Sequence, residues 1–134
     1  MATVTRFEDL IAWQEARVLQ QPAYKISNEE AFAKDFGLKD QIQRAAVSAM
    51  TNIAEGFDNE STAEFARFLG MARRSAVEVQ SLLYAALDQQ YITPEIFQAC
   101  YEQAAKAKGF IGGLKRSLWK NPHTSQKTPP KTTS

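Results

Sequence analysis

One cysteine and one histidine are the whole supply of thiol and imidazole ligands in this 134-residue chain. Cys100 alone cannot close an internal disulfide or build a multi-cysteine metal site, and His123 alone cannot supply a histidine cluster. Glycine is scarce, at six residues, and no strand-like alternation bounded by turn pairs occurs. A Gly-rich phosphate loop following a strand is therefore excluded. The Glu-x-x-His pairs of di-metal bundles are missing as well. No apolar run approaches the ~18 residues of a membrane span. The opening Met-Ala-Thr-Val-Thr-Arg-Phe-Glu-Asp has no basic stretch leading into an apolar one, as a signal peptide would. Charge of one sign is also lacking: sixteen Lys/Arg stand against fifteen Asp/Glu, a net +1. These absences predict a soluble, cytoplasmic, non-enzymatic single domain, with no cofactor, no metal, no membrane contact and no small-molecule substrate.

What the chain does have is helical periodicity on a 44% hydrophobic composition. A first helix is expected from about Phe7 to Ile26, with Leu10, Trp13, Ala16, Leu19, Ala23 and Ile26 as its stripe and Ile11 and Val18 widening it. Pro22 lies inside it and predicts a kink or break near Leu19–Gln21. Ser27-Asn28-Glu29-Glu30 reads as a loop or the cap of a short turn. A second helix is expected from Phe36 or Gly37, carrying Leu38, Ile42, Ala45, Ala49 and Ile53. Gly56 is expected just past its end in a left-handed conformation. Ser61-Thr62-Ala63-Glu64 matches a capping box for a third helix. Its Phe65, Leu69, Ala72, Ala76, Val79, Leu83 and Ala86 repeat at alternating spacings of four and three, the seam of helices packed at a shallow angle. Thr93-Pro94-Glu95 starts a fourth, with Phe97, Cys100, Ala104, Ala107, Ile111, Leu114 and Leu118 as its seam. Gly109, Gly112 and Gly113 there predict either close approach of a neighbour or fraying. The expected architecture is all-α, an antiparallel up-down-up-down four-helix bundle over residues 1–120. Residues 121–134 hold no hydrophobic residue and are expected to form a disordered polar tail.

Gln41 to Gly56, with its Asn52-Ile53-Ala54-Glu55-Gly56 core, resembles the central signature of a known family. So does Glu64-Phe65-Ala66-Arg67-Phe68-Leu69-Gly70-Met71-Ala72 followed by Ser75 and Glu78, and so does the opening Phe7-x-x-Leu10-x-x-Trp13-Gln14-x-Ala16. The family is the four-helix bundle proteins encoded by intervening sequences in bacterial 23S ribosomal RNA genes. The accessory variability determinant proteins of diversity-generating retroelements are related to it in fold. The resemblance covers about Phe7 to Leu118. It implies a compact helical bundle, assembly of the chain with itself into rings (five-membered), and RNA or DNA binding; it implies no catalytic activity. The chain departs from the family pattern at Asp58-Asn59-Glu60, where members carry a basic residue, at Gln43, where many carry arginine, and at Gln20-Gln21-Pro22.

Two sets of residues are candidate sites. Gln41, Arg44, Ser48, Asn52 and Glu55 align along one stripe of the second helix, which reads either as a solvated face or as a polar seam against another helix or subunit. Buried polar groups in such a seam need partners, since an unpaired one costs ~1–3 kcal/mol. The second set is cationic. Residues 1–92 hold nine basic and thirteen acidic residues, whereas residues 93–134 hold seven basic and two acidic. Lys108, Lys115, Arg116 and Lys120 crowd the end of the fourth helix, and Arg73 and Arg74 can add to a basic patch. The mobile cations of the tail would be Lys127 and Lys131. These groups read as a complement to the negative helix end or as a non-specific contact to nucleic-acid phosphates. Glu64–Arg67 and Arg74–Glu78 are expected as surface pairs. Aromatics at helical spacing fill cores, whereas exposed rings beside cations stack bases. Apolar Phe68, Leu82 and Met50 lie beyond one seam and are the expected contacts of a homo-oligomer. The alternative is an adaptor for a different protein, with no nucleic-acid role.

Overall fold

The computed structural model describes residues 4–120. The expected tail, with His123, Lys127 and Lys131, lies outside the described residues. A 3-10 turn at Phe7–Asp9 precedes α1 (Ile11–Ser27), α2 (Glu30–Lys34), α3 (Phe36–Phe57), α4 (Thr62–Asp88) and α5 (Pro94–Lys120). The four long helices form an antiparallel up-down-up-down bundle. Its edges are α1–α3, α3–α4, α4–α5 and α5–α1. Short links join consecutive helices, so neighbours run in opposite directions.

Helix starts follow the local chemistry. Ser61 Oγ accepts from the Glu64 amide at 3.2 Å, and Thr93 Oγ1 accepts from the Ile96 amide at 3.1 Å. Asp35 caps α3 by accepting from the Leu38 amide at 3.1 Å. Only half of the expected capping box forms at Ser61. The Glu64 carboxylate pairs with Arg67 at 2.9 Å, while the Ser61 amide donates to Asn59 Oδ1 at 3.4 Å.

All seven expected seam residues of α4 are buried, and so are those of α5 except half-buried Leu114. The core has two large-residue ends. Phe32, Leu19, Ile42, Val79, Leu83 and Phe97 pack at one end, and Leu10, Ile53, Phe57, Phe65, Leu69, Ile111 and Leu118 at the other. Ala76 and Ala107, which belong to neither cluster, are fully buried. The lone Cys100 is part of the core, where burial pushes its thiol pKa up.

Several expectations are corrected. The first helix begins at Ile11, because Leu10 is extended (φ −77°, ψ 124°) and Phe7 turns back to meet Trp13 edge-on at 5.1 Å. Pro22 does not break it: α1 is one element to Ser27. Buried Leu19, Ala23 and Ile26 hold both sides of the proline against the core, and the carbonyl that loses its donor belongs to exposed Val18, where water can serve it. Ile11 and Val18 do not widen the buried stripe; both are exposed. Ser27 is helical and buried rather than in a loop. Its Oγ donates to the Ala23 carbonyl at 2.7 Å and accepts from Gln43 Nε2 at 2.9 Å, which ties α1 to α3.

Gly56 is not a left-handed cap, since no glycine has positive φ among the described residues. It lies inside α3, where a Cβ would stand 2.6 Å from Phe68 Cβ. Glycine is required there because α3 and α4 touch. The α5 glycines neither fray the helix nor all meet a neighbour: Gly112 is buried, whereas a Cβ at Gly109 would meet nothing within 4 Å. Phe68, Leu82 and Met50 are half-buried, with Leu82 and Met50 packed on this chain's own core and Phe68 lying under Arg67 at 4.9 Å.

Candidate functional site

Antiparallel packing places the first half of α4 beside the last half of α5. Arg73 from α4 thereby meets Lys115 and Arg116 from α5. The three cations lie over helix surface that carries no side chain of its own. A Cβ at Gly70 would be 3.2 Å from Lys115 Nζ, and one at Gly112 would be 3.4 Å from Arg116 Nη1 and 3.9 Å from Arg73 Nε. The result is an open cleft of about 420 Å³ lined by Arg73, Gly112, Lys115, Arg116 and Trp119. Trp119 is 62% exposed.

None of the three cations has an ion-pair partner within 4.0 Å among the described residues. Some other surface cations are matched, Lys25 with Glu29 at 2.8 Å, Arg44 with Asp40 at 2.8 Å, Arg67 with Glu64 at 2.9 Å and Lys106 with Glu15 at 3.6 Å, so what sets the cleft apart is the convergence of three unmatched cations from two helices. The expected Arg74–Glu78 pair is not formed among the described residues. Unit charges 4 Å apart in water repel by ~1 kcal/mol, so three like charges converging on one cleft favour an anion between them. The negative end of α5 offsets part of that repulsion.

The other cationic candidates lie outside this cleft. Arg74 and Lys120 are exposed, and Lys108 is half-buried. Sequence reasoning missed Trp119, although its spacing from Lys115 and Arg116 puts it on their helix face. It also could not pair Arg73 with α5, because nothing local links the two.

The polar stripe divides in two. Ser48 and Asn52 are half-buried: Asn52 Nδ2 donates within α3 to the Ser48 carbonyl and to Ser48 Oγ, each at 2.9 Å, and Ser75 Oγ of α4 donates to Ser48 Oγ at 2.9 Å, the one of these bonds that joins two helices. Gln41, Arg44 and Glu55 are exposed. Ser48, positioned by Asn52, is thus a polar contact between α3 and α4 of one chain. Ser48 and Arg44 also line a shallow depression with Tyr24, Val47 and Thr51. Among the described residues, no group of His, Cys, Asp and Glu is placed to hold a metal ion, and no helix is long and apolar enough to cross a membrane.

A family model for the 23S rRNA-intervening sequence protein matches residues 8–113. Among solved structures, the chain is similar to a protein of unknown function from the S23 ribosomal protein family of Bacteroides thetaiotaomicron. The TM-score is 0.72 at 22% identity, covering 78% of this chain and 98% of that one. No curated protein matches. The family model spans α1 to α4 and most of α5, taking in Arg73 and Gly112 of the cleft but not Lys115, Arg116 or Trp119, and on that match the chain belongs to the 23S rRNA-intervening sequence protein family.

Proposed function

We propose that this protein is a non-catalytic, self-associating helical bundle, with a ring as its assembled form, that binds RNA or DNA through phosphate contacts. The observation that carries the binding is the convergence of Arg73, Lys115 and Arg116 from two helices on one cleft with no acidic partner. Such a cluster attracts polyanions without reading sequence. Repeated around an assembly, it sums to a larger field than one chain with net charge +1 supplies. Self-association is supported by apolar surface the single chain leaves open: Ile11 and Phe110 are 53% and 41% exposed and flank a groove with Gly109, Gly113 and Leu114 between α1 and α5.

Light scattering coupled to size exclusion gives the assembled mass, and only a 15.0 kDa species at micromolar concentration refutes self-association. Low-salt titrations with RNA and DNA compare the wild type with Lys115→Glu/Arg116→Glu. The expected result is binding by the wild type that weakens steeply with salt and is lost in the double variant. Equal affinity in both, or no binding by the wild type, reduces the cluster to a complement of the α5 dipole. A multimer without nucleic-acid affinity would favour the adaptor reading.

A further inference from the structure

We infer that the cleft selects single-stranded over duplex nucleic acid, by stacking one unpaired base on Trp119 while Arg73, Lys115 and Arg116 hold the adjoining phosphates. This rests on the phosphate-binding reading above and adds to it the class of strand that fits.

The two tryptophans differ in a way that bears on this. Trp13 is half-buried, with Phe7 on it edge-on at 5.1 Å and the Arg17 guanidinium 5.8 Å from its ring centroid. Its surfaces are used. Trp119 is 62% exposed and has no ring or cation–π partner among the described residues. An indole left bare in water gains by covering itself, and a nucleobase offers a flat apolar face of the right shape. The cations are in place for the rest of the nucleotide. Lys115 and Arg116 precede Trp119 on the same helix by about one turn, and Arg73 closes the cleft from α4. The glycine at 112 leaves room for the Arg116 and Arg73 guanidinium groups to lie low over α5, where a phosphate can meet both.

A duplex cannot use this arrangement fully. Its bases are stacked on each other and present only edges, so the ring can meet none of them without unstacking the helix. It keeps the three phosphate contacts and forgoes the stack. Because every base has a π face, the preference is for strandedness and not for sequence. Three neutralised phosphates on a single strand give a slope of log affinity against log salt of about −2.

The test uses the full chain and fluorescein-labelled 12-nucleotide oligo(dT) and oligo(U), each against a duplex of equal length, followed by anisotropy at low salt. Wild type is expected to hold the single strands more tightly. Trp119→Ala should lose roughly 5- to 150-fold on single strands with duplex affinity unchanged, and Trp119→Phe should retain most of the preference. In a Trp13→Phe background Trp119 is the only indole, and its fluorescence should be quenched as oligo(dT) is added. Equal affinity for single and double strands, with Trp119→Ala unchanged and Lys115→Glu/Arg116→Glu defective, overturns the stacking while phosphate binding stands. No binding of any oligonucleotide by wild type overturns both. If Trp119→Ala lowers the assembled mass and leaves affinity alone, the indole is a contact between copies, and the inference is refuted.

Discussion

Replacing Gly56 by alanine should destabilise the protein, although alanine is the better helix former. Gly56 is inside α3 with ordinary helical geometry, so a local argument credits Gly56→Ala with about 1 kcal/mol of stabilisation. The packing argues the other way. The added Cβ would stand 2.6 Å from Phe68 Cβ, 3.0 Å from Phe65 Cδ1 and 3.3 Å from Phe68 Cγ. Carbon atoms rest at about 3.5–4.0 Å. Phe68 Cβ is fixed to the backbone of α4, so relief needs the two helices to separate by roughly 1 Å. Because Phe68 Cβ cannot rotate away, the cost falls in the upper part of the usual overpacking range, about 2–3 kcal/mol, and it disturbs Phe57 and Phe65, which meet edge-on at 5.9 Å at this end of the core. The net expectation is a loss of about 1–2 kcal/mol. Gly109→Ala is the internal control. Nothing of this chain lies within 4 Å of its new methyl, so at a concentration low enough to keep the chain dissociated the helix preference acts alone and adds up to about 1 kcal/mol. The two variants should differ by about 2–3 kcal/mol, or roughly 6–12 °C in Tm for a chain of this size. Urea and thermal unfolding followed by circular dichroism at one protein concentration measure the difference, fixed concentration being needed because assembly shifts apparent stability. A Gly56→Ala variant as stable as wild type, or a Gly109→Ala variant below it, refutes the reasoning.

Leu69→Asp and Leu83→Asp put a carboxylate where the native side chain is fully buried; each should abolish cooperative unfolding by circular dichroism, and wild-type melting of either would mean the α4 seam is misassigned. Gln90, the residue after the Gln89 C-cap of α4, has φ +61°, and Gln90→Gly should raise stability by roughly 0.5–1 kcal/mol in urea titrations, a result that a loss of stability would contradict. The Tyr91 phenol donates to Asp35 Oδ2 at 2.9 Å, and that bond to the carboxylate holds its pKa above the usual 10. The folded state thus keeps this proton more tightly than the unfolded chain, so the associated stability is complete below about pH 10 and drains as pH rises through the folded value. Stability measured from pH 8 to 11 should fall more steeply for wild type than for Tyr91→Phe, and parallel curves would exclude the linkage.

The helices themselves were legible because their causes are local. A hydrophobic repeat of alternating threes and fours needs only residues one turn apart, and it identified every buried seam position of α4, from Phe65 to Ala86. The Ser61 and Thr93 caps are equally local, each a hydroxyl reaching an amide three residues on. What failed were inferences in which a local preference met a distant neighbour. Pro22 and Gly56 carry strong local signals for a break and a cap, yet the buried residues around Pro22 and the touching of α3 and α4 at Gly56 decide both positions. The cationic cleft is of the same kind. Lys115 and Arg116 stood out as a cluster on their own helix, but their partnership with Arg73 exists only once α4 and α5 pack antiparallel, and Trp119 differs from Trp13 only because Phe7 folds back over the latter. Periodicity says which face of a helix is apolar. The steric fit between faces selects the register that brings particular charges together and leaves a particular ring bare to solvent.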